Sequence, residues 1–126
     1  MKYRIDTISN EPNATVLLTS IHLLRLADMD IEFVRQGIRF VADSDKARRN
    51  LRKHGVSFER AAEAFFDPFL KALDASRNDE ARDAILGMNE TQRLLFVVHL
   101  ILEDERIRLI SARKATREER RHYEND

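Results

Sequence analysis

The sequence contains no cysteine, so disulfide staples, thiol nucleophiles and cysteine-ligated metals are excluded together. Its four histidines are scattered, and no pair has the HxH or HxxxH spacing that brings two imidazoles onto one ion. Neither a metal nor another cofactor is expected. Net charge is also missing: 22 basic residues balance 22 acidic ones, which argues against long-range capture of a polyanion by the whole surface. No stretch reads as a membrane span. The apolar run from Val16 to Ala27 is interrupted by His22 and Arg25 and is too short. Asp6 and Glu11 ahead of it make a poor signal-peptide n-region. The expected location is therefore cytoplasmic, with no membrane partner. Internal repeats, low-complexity segments and linkers are absent from residues 38–126.

What is present fits one domain with an appendage. The chain has 126 residues, 43% of them hydrophobic and 35% charged, enough for a real core under a well-solvated surface. Residues 38–126 read as the domain. Residues 1–37 read as an N-terminal extension, within which Met29 is an alternative start. The zero net charge hides an uneven distribution. Residues 38–66 carry seven Lys/Arg against four Asp/Glu, 67–105 carry four against nine, and 106–126 again carry seven against four. Such a layout permits local basic sites flanking an acidic middle.

The element pattern predicts an α+β fold, an antiparallel sheet of four to five strands with helices packed on it, in the order βααββββα. Ile31 to Phe33 and Ile38 to Val41 are short strand material around a turn at Gln36-Gly37. Asp43 or Ser44 caps a helix that runs to His54 and stops at Gly55, with Ala47 and Leu51 facing the core. Ser57 caps a second helix, whose Phe58, Ala61, Ala62, Phe65 and Phe66 make a stripe of helical period. Asp67-Pro68 ends it. Phe69 to Asp74 and Ala81 to Gly87 are strand candidates. Leu94 to Leu102 is apolar on both alternations except at His99, which marks a central strand covered on both faces. Arg106 to Ser111 is a further strand. Thr116-Arg117-Glu118-Glu119 is a capping box that opens the last helix. The expected core includes Phe65, Phe66, Leu95, Phe96, Val97 and Ile110.

Two basic segments carry the functional signal. Asn50-Leu51-Arg52-Lys53-His54-Gly55-Val56-Ser57-Phe58-Glu59 is one, and Ile110 to Arg120 with Arg113, Lys114 and Arg117 is the other. Each places cations at a break between elements, where side chains and free backbone N–H groups converge readily on a phosphate.

At these residues the chain resembles the BrnT toxins of bacterial type II toxin–antitoxin systems. The matching pieces are Phe40-Val41-Ala42-Asp43, Lys46-Ala47, Asn50 to Glu59, Phe66-Asp67-Pro68, Arg82 with Gly87, Arg93-Leu94-Leu95, and Ile110 to Ala115 with Glu119, Arg120 and Tyr123. They span about residues 38–124, and it is the spaced set that is specific. The resemblance implies a ribonuclease toxin with a RelE-like fold and an RNA substrate. It also implies a cognate antitoxin with a ribbon-helix-helix part (BrnA-like), through which alone the complex would touch DNA and repress its operon. Two positions depart from the family pattern. Ala42 stands where Trp is usual, and Asp83 follows Arg82 where an aromatic is common.

Metal-free RNA cleavage needs a base for the 2′-hydroxyl, cations for the charge that builds on phosphorus, an acid for the leaving oxygen, and contacts that splay the strand. Arg113, Arg82 and His54 are the candidate catalytic residues. Arg113 leaves the end of a strand just before a capped helix, which suits a fixed guanidinium; its bland alternative is a salt bridge to Glu119. Arg82 stands among Asp79, Glu80 and Asp83, so an ion pair there is the alternative. His54 at a helix end serves as acid or base, or else caps the last carbonyls. Lys53, Arg52, Lys114, Arg117 and Tyr123 are the candidate RNA-binding residues, with Arg48 and Arg49 as further cations on the first helix. Arg117 opposes the helix dipole, and Tyr123 either stacks on a base or packs on the sheet. His99 reads as a core histidine. Three readings follow: a metal-independent endoribonuclease toxin, a degenerate toxin fold that only binds its antitoxin, and, more weakly, a nucleic-acid binder of another kind.

Overall fold

The computed structural model describes residues 29–125, so the expectations for residues 1–28 lie outside it. The first feature is a hairpin, β1 (Asp30–Arg35) and β2 (Ile38–Asp43), turned at Gln36-Gly37. Two helices follow, α1 (Ser44–His54) and α2 (Phe58–Glu63), the second running into a 3-10 turn at Ala64–Phe66. Four strands come next, β3 (Lys71–Asp74), β4 (Asp83–Met88), β5 (Leu94–Ile101) and β6 (Ile107–Lys114), and then α3 (Arg117–Glu124). The described fold is α+β. No described helix is long and apolar enough to cross a membrane.

Sheet order is β1-β2-β6-β5-β4-β3. The sheet therefore has six strands rather than four to five, and the order is ββααββββα rather than βααββββα. Both arms of the first hairpin are full strands, because Ile31 and Phe33 on one and Phe40 and Ala42 on the other reach the same core. Nor is the sheet purely antiparallel. β2 meets β6 in parallel, over Phe40↔Ile107 and Val41↔Arg108. β1 lies inside the segment read as an extension, yet Asp30 and Glu32 on it ion-pair with Arg108 and Arg106 on β6. The Leu94 strand is interior as expected, flanked by β4 and β6.

One face of this sheet carries the core. Phe40, Ala42, Ile85, Leu95, Val97, Leu109 and Ala112 meet Val56, Phe58, Ala61, Ala62 and Ala64 from the helical layer, all buried. Phe58, fully enclosed at the start of α2, contributes ~2–3 kcal/mol by burial alone. The two layers touch at Gly87, where a Cβ would lie 2.4 Å from the Ala64 carbonyl oxygen; only glycine lets the 3-10 turn approach β4 so closely. Leu95 and Val97 are buried as expected, whereas Phe65, Phe66, Phe96 and Ile110 are only partly so. Phe96 points to the opposite sheet face, and Ile110 is the extra residue of a bulge. His99 is buried edge-on to Phe65, with ring centroids 4.9 Å apart. Burial lowers its pKa against the opposing Val97 carbonyl and Asp83 charge, as befits a neutral core imidazole.

Candidate RNA-interaction site

Helix α1 is capped at both ends by its own sequence. Asp43 accepts from the Lys46 N–H at 2.9 Å, and Gly55, at φ 70°, takes the left-handed position that closes the helix and gives its N–H to the Leu51 carbonyl. The His54 ring is thereby not needed as the cap. The buried side of α1 is not the expected one. Ala47 packs on the core, but Leu51 is 51% exposed while Asn50 is 6% exposed.

The reason lies on β6. Beyond Arg108 its outer edge has no strand partner, since β2 has turned into α1. Asn50 fills that gap: its Nδ2 donates to the Ala112 carbonyl at 2.9 Å, and its Oδ1 accepts the Ala112 N–H at 3.0 Å. A side-chain amide thus stands in for a strand and draws this turn of the helix onto the sheet. The opposite edge carries the bulge, where Val98 pairs with Ser111 and His99 with Leu109, skipping Ile110. A bulge turns neighbouring side chains out of strict alternation, and Ile110 and Ser111 both line the same groove.

That groove, of about 360 Å³, runs between α1 and β6 and is lined by Lys46, Arg49, Asn50, Lys53, His54, Ile110 and Ser111. Spacings of three and four residues put Lys46, Arg49, Asn50 and Lys53 on one helical face. Arg49 is held by Asp45 at 3.0 Å, a surface pair. Lys46 and Lys53 have no acidic partner among the described residues. Lys53 and His54 are thus brought together with Arg49, one of the further cations expected on this helix, and with Lys46, which was not among them; the 46–49–53 spacing is the signal that links the three. Arg52 is exposed and lies off the groove.

Arg113 follows Ser111 by two residues on β6, roughly 7 Å further along the strand. Alternation with the buried Ala112 puts it on the sheet face opposite α1 and α2, the face that α3 reaches. There its guanidinium lies 4.3 Å from the centroid of the Phe96 ring. Its Nη1 and Nη2 donate to the two carboxylate oxygens of Glu119 at 2.8 and 2.9 Å. Glu119 is itself fixed by the capping box: it accepts the Thr116 N–H at 2.9 Å while its own N–H donates to Thr116 Oγ1. The hydrogen bond from Arg113 draws the Glu119 pKa down against the pull of burial, helped by Thr116. Lys114 and Arg117 follow, both exposed.

Two candidates remain, Arg82 at a distance and Tyr123 one turn beyond Glu119 on α3. Arg82 precedes β4 instead of lying within a strand, and pairs with Glu80 at 2.8 Å. Extending the β4–β5 register places it beside Leu100, on the same sheet face as Arg113 but roughly 13 Å along and roughly 10 Å across. Tyr123 does not present its ring edge freely. Its hydroxyl donates to Asp67 Oδ2 at 2.5 Å, while Asp67 also accepts the Phe69 and Met88 N–H groups at 2.8 and 2.7 Å. Burial raises the Asp67 pKa, but these three donors outweigh it and leave the carboxyl below its ordinary value. The phenol is pushed up to about 12, by burial first and then by Asp67. The unusual Ala42 is wholly enclosed in the core, so no base can stack at that position. Among the described residues, no cluster of three His, Asp or Glu is placed to hold a metal ion.

A family model described as "Ribonuclease toxin, BrnT, of type II toxin-antitoxin system" matches residues 43–119. The chain belongs to this family. No curated protein matches it. The BrnT match runs from the cap of α1 to Glu119, so it contains the groove, Asn50, Arg113 and the carboxylate that grips it. Membership makes the chain a toxin of a ribonuclease family, with RNA and an antitoxin as its partner classes.

Proposed function

We propose that this chain is a metal-independent endoribonuclease that cleaves RNA at the α1–β6 groove, arrests translation in the cytoplasm, and is neutralised by a cognate ribbon-helix-helix antitoxin. The observation that carries this reading is the convergence of Lys46, Lys53 and His54 with Ser111 in one groove, with Arg113 two residues further along β6 on the other face of the sheet. The lysines supply phosphate attraction without an internal acid to cancel it. His54 is the group suited to move a proton to or from the ribose or the leaving oxygen. Arg113 offers a planar, oriented guanidinium for the charge that develops on the phosphate, and a phosphate bound there would compete with Glu119. Arg52, Lys114 and Arg117 extend the cationic track along which the strand lies. Arg82 stands outside this site. DNA contact comes only through the antitoxin.

A specific observation favours the second reading, a toxin fold that binds its antitoxin without cleaving. Arg113, Arg82 and Tyr123 are each engaged by a carboxylate of the same chain. Incubation of the purified chain with end-labelled RNA, with and without EDTA, separates the two. The first reading expects cleavage that EDTA leaves unchanged. Absence of cleavage together with tight antitoxin binding supports the second, and EDTA-sensitive cleavage overturns metal independence.

A further inference from the structure

We propose that Asn50 is a positioning residue for cleavage, holding the His54 end of α1 in register with Arg113; this rests on the site assigned under Proposed function. The carboxamide joins two stretches of chain 62 residues apart. Its Nδ2 donates to the Ala112 carbonyl and also to the Val56 carbonyl, both at 2.9 Å, and its Oδ1 accepts the Ala112 N–H. Ala112 is the residue before Arg113, and Val56 is two residues after His54. Both amide hydrogens and the oxygen are therefore spent on the backbone beside the two candidate reactive groups.

The amide satisfies three backbone groups, the Ala112 N–H and carbonyl and the Val56 carbonyl, that an apolar side chain in this buried place would leave unpaired, and a buried amide is itself tolerated only when its bonds are all made. Those bonds also fix geometry. The adjoining Leu51 is exposed, so this turn of α1 is located on β6 by directional hydrogen bonds. Hydrophobic contact would leave the helix freer to slide, and Lys53 and His54 would slide with it.

The test uses the full chain and a short labelled RNA. Asn50→Asp keeps the shape and the acceptor but loses both donors. Asn50→Gln keeps all three and moves the amide outward by one methylene. Circular dichroism identifies the temperature at which each variant is folded. Where Asn50→Asp does not fold, Asn50→Gln carries the test. The expected result is a loss of kcat of at least about tenfold with KM for RNA within about twofold, since a misplacement of about 1 Å costs on the order of 10²-fold. In an Arg113→Ala background the same change should cost less than about threefold, because the group with which His54 is held in register is gone. Unchanged kcat in a folded variant overturns the proposal, as does a full additive loss without Arg113. If the wild-type chain cleaves nothing, the reading under Proposed function fails by itself. The positioning claim is then decided by the Arg113 Nε–H and His54 ring resonances in NMR spectra. Both must shift in a folded Asn50 variant, and unshifted resonances refute it.

Discussion

Arg113 and Arg82 stand on one face of the same sheet, and each has a glutamate partner. The Arg113 pair is bidentate, backed by the Phe96 ring, and its glutamate is anchored by a helix cap. The Arg82 pair is a single contact between neighbours two residues apart, with the Glu80 side chain 67% exposed. Arg113 is thus a cation held in place on three sides, whereas Arg82, though its own side chain is no more exposed, is held by one exposed glutamate. The difference comes from what surrounds each one. A capped helix and a cross-strand aromatic meet at the C-terminal end of β6, and nothing comparable meets at the start of β4.

Activity should separate the two arginines most widely. Arg113→Ala should lower the cleavage rate by on the order of 10²–10³, as expected when a group that stabilises developing charge is lost. Arg82→Ala should stay within about threefold. Arg113→Lys should recover only part of the rate, because a point charge does not reproduce the fork. Single-turnover cleavage of a labelled RNA measures all three, with circular dichroism as the folding control. Equal losses at the two arginines would remove the distinction.

Stability gives the next effect. Tyr123→Phe removes the hydroxyl that ties α3 to Asp67 and should cost about 1–2 kcal/mol, the lower end for a bond to a charged group because the tyrosine is only partly buried. A melting point lower by roughly 4–16 °C is the matching readout. The pair Arg82–Glu80, being exposed, should contribute less than about 1 kcal/mol. An unchanged melting point in Tyr123→Phe would mean that α3 is held by other contacts.

Acid should then lower the stability of the protein in two stages. The folded pKa of His99 is depressed below 6.5, so the unfolded chain binds its proton more readily, and stability present above pH 6.5 declines as pH falls through the folded value. Asp67 and Glu119 are depressed below 3.8 and 4.5. Their contribution is complete above those values and is lost only as pH drops beneath them. His99→Leu should abolish the first stage and leave the second, which urea titrations from pH 8 to pH 3 would resolve. A first stage that persists in His99→Leu would assign it to another group.

Much of this was legible in the sequence because the signals were local. The capping box at Thr116, the Gly55 stop and the apolar run from Leu94 each specify an element by themselves. Arg113–Glu119 was readable as an alternative to catalysis and does form. The parallel β2–β6 pairing was not legible, because it joins segments far apart in the chain and hairpin logic favours antiparallel neighbours. Leu51 was expected inward on helical periodicity. It faces out because a polar residue, Asn50, makes the long-range bonds that turn the helix. Lys46 was hidden for the same reason: its place in a groove, beside the expected Arg49, depends on where β6 lies. Arg82 fits the family spacing, but only the sheet register reveals its distance from Arg113.

The most direct test of the account is NMR mapping of a short RNA made uncleavable by 2′-O-methylation, titrated into the isotope-labelled chain. Perturbed resonances are expected at Lys46, Arg49, Lys53, His54, Ser111 and Arg113, with the surface around Arg82, Leu100 and Ile101 unchanged. Perturbations centred on Arg82 with a silent α1–β6 groove would contradict it.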